Sequence, residues 1–120
     1  MSEPHFTDGR LIIEGHEGRK FELLESVWKH VIEDRNRTYY EDNFNKIVET
    51  LKSPDRILQS EKDVDVNYYE KRFDDLYLFG STVLGRMYNY VLVNLYDNQI
   101  KTVYFSRTPK NKKILWTRRP

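Results

Sequence analysis

The sequence predicts an α+β fold: an N-terminal hairpin and two helices packed on an antiparallel sheet of about four strands. Three observations lead there. Residues 24–32 and 44–51 carry apolar side chains at helical spacing. Residues 87–96, "MYNYVLVNLY", are rich in aromatic and β-branched residues and largely apolar in both parities, as an interior strand is. Asp97-Asn98 then make a tight turn, and "QIKTVYFS" returns antiparallel. Helices fall early and strands mostly late, so one layer packs on the other.

Taken in order, "RLIIEGHEGRKFELLE" reads as a hairpin: Leu11 to Ile13, a turn around Gly15 to Gly18, then Phe21 to Leu24. Leu24, Val27, Trp28, Val31 and Ile32 form the stripe of the first helix, which "DRNRT" interrupts. Phe44, Ile47, Val48 and Leu51 form the stripe of the second. Ser53-Pro54-Asp55 stops it, because the residue before proline disfavours the helical region. "RILQ" suggests a short strand. "SEKDVDVNYYEKRFDD" is the least readable stretch; Tyr68, Tyr69 and Phe73 either form another strand or cover the core. In the strand before the end, Val103 and Phe105 share one face, while Ile100, Thr102, Tyr104 and Ser106 share the other. "ILWT" is the last strand.

The totals set bounds. A chain of 120 residues suits one domain, 1–120. With 38% hydrophobic and 14% aromatic residues it can bury a modest core, with a polar surface. The net charge of +1 leaves nucleic acid to be decided by charge distribution. The absence of cysteine removes disulfides, thiolate chemistry and cysteine-ligated zinc. No apolar run approaches a membrane span, and "MSEPHFTDGR" has no signal-peptide pattern. The expectation is a soluble cytoplasmic protein without a membrane partner.

No phosphate-cradling glycine loop or nucleophile elbow is present. His5, His16 and His30 lie far apart, with no helical pair to hold a metal, and the pairs Asp63/Asp65 and Asp74/Asp75 lack ligand spacing. No metal or cofactor is expected. His30 points roughly 130° away from the apolar stripe of its helix, at 100° per residue. By pattern alone it is an exposed helix-end histidine. The stretch "KTVYFSRTPKNKKILW" holds Lys101, Arg107, Lys110, Lys112 and Lys113 without an acid. It reads strand, basic loop, strand. Beside it stand the hydroxyls of Thr102, Tyr104 and Ser106. Two readings are open: an edge-protecting charged hairpin with cross-strand hydrogen bonds, or an anion site for a phosphate backbone. Tyr88, Tyr90 and Tyr104 could then stack on unpaired bases.

The order "DGRLIIEG", "WKHVIEDR", "ETLKSPDRI", then "IKTVYFSRT" and "ILW" resembles the phage-associated barnase–EndoU–colicin–RelE-like (BECR fold) ribonucleases. The likeness covers residues 8–117, and order and spacing carry it rather than any one motif. It implies metal-independent RNA cleavage by a toxin or effector, with RNA, possibly tRNA, as substrate and an antitoxin or immunity protein as a further partner. Carried over by position, the resemblance makes His30 the acid/base, Thr102 a hydrogen-bond donor that binds phosphate with Tyr104 near it, and Arg107 or a loop lysine the transition-state cation. Ser106, Lys110, Lys112 and Lys113 fall on the substrate-binding side. Family helices often continue into "R-H-P-E", where this chain reads "DRNRTYY"; Arg35 is the candidate cation in place of the second histidine. The alternative is a non-catalytic RNA- or protein-binding module of the same fold.

Overall fold

The computed structural model describes residues 4–34, 39–74, 76–78, 81–83 and 85–118, the side chains of 34, 76–78 and 81–83 excepted. In chain order the elements are β1 (Arg10–Glu14), β2 (Lys20–Leu24), α1 (Glu25–Lys29), α2 (Tyr40–Lys52), β3 (Arg56–Gln59), β4 (Val66–Phe73), β5 (Leu76–Leu78), β6 (Ser81–Val83), β7 (Met87–Asn94), β8 (Ile100–Ser106) and β9 (Lys113–Thr117). The class is α+β, as the sequence predicts. A five-stranded sheet runs β8-β7-β4-β3-β9, all neighbours antiparallel, while β1-β2 and β5-β6 are separate hairpins.

The stretch that resisted reading is the middle strand, β4. Its two faces explain why. Tyr69 and Phe73 are buried on one side, whereas Glu70, only 3% exposed, is buried on the other. A charge at a buried position hides the strand from any apolar count. It is tolerated because Arg56, opposite it on β3, grips both carboxylate oxygens at 2.6 and 2.7 Å.

One face of the sheet carries Ile57, Tyr69, Val91, Val93, Ile100 and Val103, all buried. Val31, Phe44, Ile47 and Leu51 from the helical layer belong to the same cluster, and Trp28 packs edge-on against Phe44. The stripe of α2 does what its spacing requires, whereas the first stripe is divided: Leu24 ends β2, and Val31 and Ile32 lie past the end of α1 while still packing on the core. A polar set beside them locks α2 to β7: Tyr40 donates to Asn89, and the Asn89 amide donates to Thr50 Oγ1 at 2.8 Å. The hairpin lies beside α2 on the same face of the sheet, with Phe21 edge-on against Tyr69. Gly15 lies so close to α2 that a Cβ there would stand 2.5 Å from the Leu51 carbonyl oxygen, which excludes any larger residue.

α1 is short. It passes into a wider π-helical turn, His30–Asp34, and such turns often accompany functional sites. The tight turn after β7 is present as expected, with Asn98 at a φ of 57°. One parity expectation fails. Leu92 faces Thr102 but Val93 faces Ile100, so Lys101 is an extra residue in β8. The bulge reverses the parity on its far side. Ile100 therefore lies in the core, 2% exposed, and not on the face of Thr102.

The basic loop is not the turn of a hairpin. β8 and β9 are opposite edges of the sheet. Four inter-strand spacings put those edges roughly 19 Å apart, at about 4.8 Å each. The connection spans about 23–25 Å when fully extended. Residues 107–112 therefore run as an almost straight strap across the face opposite the helices.

Candidate functional site

The strap rests on a row of polar side chains from four strands. Tyr90 on β7 donates to Glu70 Oε2 at 2.6 Å and accepts from the backbone N–H of Lys110 at 2.7 Å. The Arg56 guanidinium, already paired with Glu70, also reaches the Lys110 carbonyl at 3.2 Å. Burial, then the bond to Glu70, pushes the Tyr90 hydroxyl well above the usual phenol range. Arg56's own hydrogen bond to Glu70 raises its guanidinium, partly offset by burial. The lysines of the strap fold down onto aromatic rings. Lys110 Nζ lies 5.4 Å from the centre of Tyr104, and Lys112 Nζ lies 5.2 Å from that of Tyr68.

This crossing divides the face into two open ends. At one end lies a cleft of about 320 Å³ lined by His30, Ser60, Asp63, Lys101 and Thr102, with Val66 and Leu92 as its apolar floor. Three unrelated features converge there. The π-helical turn presents His30, which is exposed. The bulge in β8 brings Lys101 and Thr102 to the same opening, and re-aiming a side chain is a common use of a bulge. The β3–β4 turn contributes Ser60 and Asp63; Asp63 is fixed by its N–H to Ser60 Oγ at 3.2 Å. An imidazole, an ammonium group, two hydroxyls and a carboxylate thus share one opening.

At the other end, a cleft of about 380 Å³ is lined by Arg56, Lys71, Arg72 and Arg118 together with Asp55 and Glu70. Most of this charge is spent internally. Arg56 pairs with Glu70, and Arg118 NH2 stands 2.9 Å from Asp55 Oδ1, close enough for an ion pair but without hydrogen-bond alignment. Lys71 donates to the Ser53 carbonyl at 3.0 Å.

The candidates named from sequence divide accordingly. His30 and Thr102 come together in the first cleft. Tyr104 is half-buried beneath Lys110, its ring 5.4 Å from that of Tyr90 and tilted by 35°. Tyr90 is fully buried, so it cannot stack on a base, and that expectation is withdrawn. The Ser106 hydroxyl closes its own turn, donating to the Thr108 carbonyl at 2.8 Å. Arg107 is exposed where the strap leaves β8, and Lys113 opens β9 opposite Gln59. Lys110 and Lys112 hold the strap. Arg35 lies outside the described residues. Lys101 was visible only as one of several basic residues, because the bulge that aims it depends on pairing with β7. Arg56, Glu70 and Asp63 gave no signal of their position. Among the described residues, no helix is long and apolar enough to cross a membrane.

No protein-family model matches the chain, and neither a curated protein nor a solved structure matches it.

Proposed function

We propose that the protein is an endoribonuclease that cuts RNA by attack of a ribose 2′-hydroxyl on the adjacent phosphate, acting as a toxin or effector. The observation that carries this reading is the convergence of His30, Lys101 and Thr102 on one cleft. These are the groups that the chemistry requires. His30 takes the proton from the 2′-hydroxyl. The 2′-oxygen bonds to phosphorus, and Lys101 and the Thr102 hydroxyl stabilise the added negative charge. The bond from phosphorus to the 5′-oxygen breaks, and that oxygen leaves with a proton from Lys101. The products are a 2′,3′-cyclic phosphate and a 5′-hydroxyl. The resemblance to BECR-fold ribonucleases supports the same scheme.

A second reading is an RNA-binding module that does not cut. It is favoured by the presence of one histidine in the cleft and by strap lysines that rest on tyrosine rings. Incubation with total RNA in the presence of a chelator separates the two. Fragments ending in 2′,3′-cyclic phosphate are the expected result. RNA that stays intact through long incubation while still binding the protein would overturn cleavage in favour of the binding module.

A further inference from the structure

A third cavity lies on the opposite face of the sheet, apart from the cleft of His30. It measures about 290 Å³, close to the lower end of small-molecule sites, which run roughly 300–1,000 Å³. One wall is the turn between β1 and β2, with His16, Glu17 and Arg19. The other is the sheet, from Asn67 and Tyr69 on the middle strand to Trp116 on the edge strand.

Two buried polar atoms in this cavity have no hydrogen-bond partner. One is Oδ1 of Asn67, a residue 7% exposed, and the other is Nε2 of His16. The nearest acid, Glu17 Oε1, stands 3.6 Å from that nitrogen, beyond hydrogen-bond range. Buried polar atoms are nearly always paired, so two orphans on residues that line one cavity mark it as a place where a guest would find partners. The rest of the lining says what kind. Trp116 and Tyr69 supply aromatic surface, and the His16 ring leans on Trp116 at 4.5 Å. Arg19 and Glu17 bring one charge of each sign, which disfavours a charged guest. Asn67 Oδ1 accepts only, so the guest must donate. Arg19 donates only, so the guest must also accept.

We propose that this cavity is a binding site for a nucleobase. A ring N–H or amino group meets Asn67 Oδ1, an adjacent ring nitrogen or carbonyl faces Arg19, and the ring lies against Trp116. The inference goes beyond RNA cleavage and does not depend on it, since the site stands on the other face and needs no phosphate.

Titration with adenosine, guanosine, cytidine and uridine, read by tryptophan fluorescence, tests it. These probes carry no phosphate and so bypass the basic groups elsewhere. At least one should quench saturably. The signal should persist in Trp28→Phe and vanish in Trp116→Phe. Asn67→Leu should weaken binding by about tenfold or more, the scale of one buried hydrogen bond. Arg19→Ala, which removes an exposed side chain that also interacts with the Tyr69 hydroxyl, gives the same reading if the leucine variant fails to fold. Absence of quenching by all four nucleosides would overturn the proposal and leave the cavity to water. So would affinity unchanged by both the Asn67 and the Arg19 substitutions.

Discussion

The two faces of the five-stranded sheet are closed by different means. On one, helices and a hairpin bury Val91, Val93, Ile100 and Val103 under Val31, Phe44, Ile47 and Leu51. On the other, a strap of six residues crosses Tyr90, Glu70 and Arg56, held by backbone and side-chain hydrogen bonds. Apolar packing is non-directional and covers its face evenly. Hydrogen bonds are directional and fix the strap along one line. The strap therefore leaves both ends of its face open, and a cleft with reactive groups occupies one of them. The helical face opens beneath the β1–β2 turn, where its cover is a hairpin; the strapped face opens at both of its ends.

Four sets of substitutions break or sharpen this contrast. The largest effect is expected at Glu70. Glu70→Ala strands Arg56 against a buried surface and should cost about 3–5 kcal/mol, read by denaturant unfolding. Replacing Glu70 and Arg56 together by leucine should return much of that loss, since no charge is then left unpaired. If the double variant falls as far as the single one, the ion pair is not what holds the strap.

Leu51→Ala on the helical face follows, with an expected loss of about 2–5 kcal/mol from burial and cavity together. An unchanged thermal melt would place Leu51 at the surface and undo the layer.

Tyr90→Phe removes one hydroxyl and leaves the Lys110 N–H unpaired, for about 1–3 kcal/mol. It should also change the response to alkali. The folded-state hydroxyl keeps its proton to higher pH than that of an unfolded tyrosine. Its contribution is thus whole below about pH 10, the ordinary phenol range, and is lost as pH rises through the folded value. The native protein should lose stability above pH 10 more steeply than Tyr90→Phe does. Parallel curves would show that the hydroxyl is not held by the strap.

The smallest effect is expected from Lys110→Ala and Lys112→Ala. Each loses one cation–π contact, about 0.5–1 kcal/mol. RNA affinity of this double variant should fall with added salt less steeply than that of the native protein.

The helix-covered face was legible in the sequence because its signals are periodic. Stripes at i, i+3 and i+4 placed Ile47 and Leu51, and alternation placed Val91, Val93 and Val103. The strapped face was not, for three physical reasons. Six residues between two strands suit a hairpin as well as a crossing, and no local pattern says which edge β9 joins. The buried pair of Glu70 and Arg56 made β4 look like surface. The bulge at Lys101 arises from pairing with β7 and has no mark in "QIKTVYFS". Two residues of the candidate cleft, His30 and Thr102, were nonetheless singled out in the sequence. His30 stood out by pointing away from its apolar stripe, and Thr102 by its motif.

The most direct measurement is the rate at which His30→Ala cuts RNA, compared with the native protein on the same substrate with a chelator present. A fall of about 10²–10⁴-fold is expected, the usual worth of a general acid or base, with an unchanged thermal melt because the residue is exposed. Cleavage at the native rate would mean that the cleft between the π-helical turn and the β8 bulge is not where the chemistry takes place.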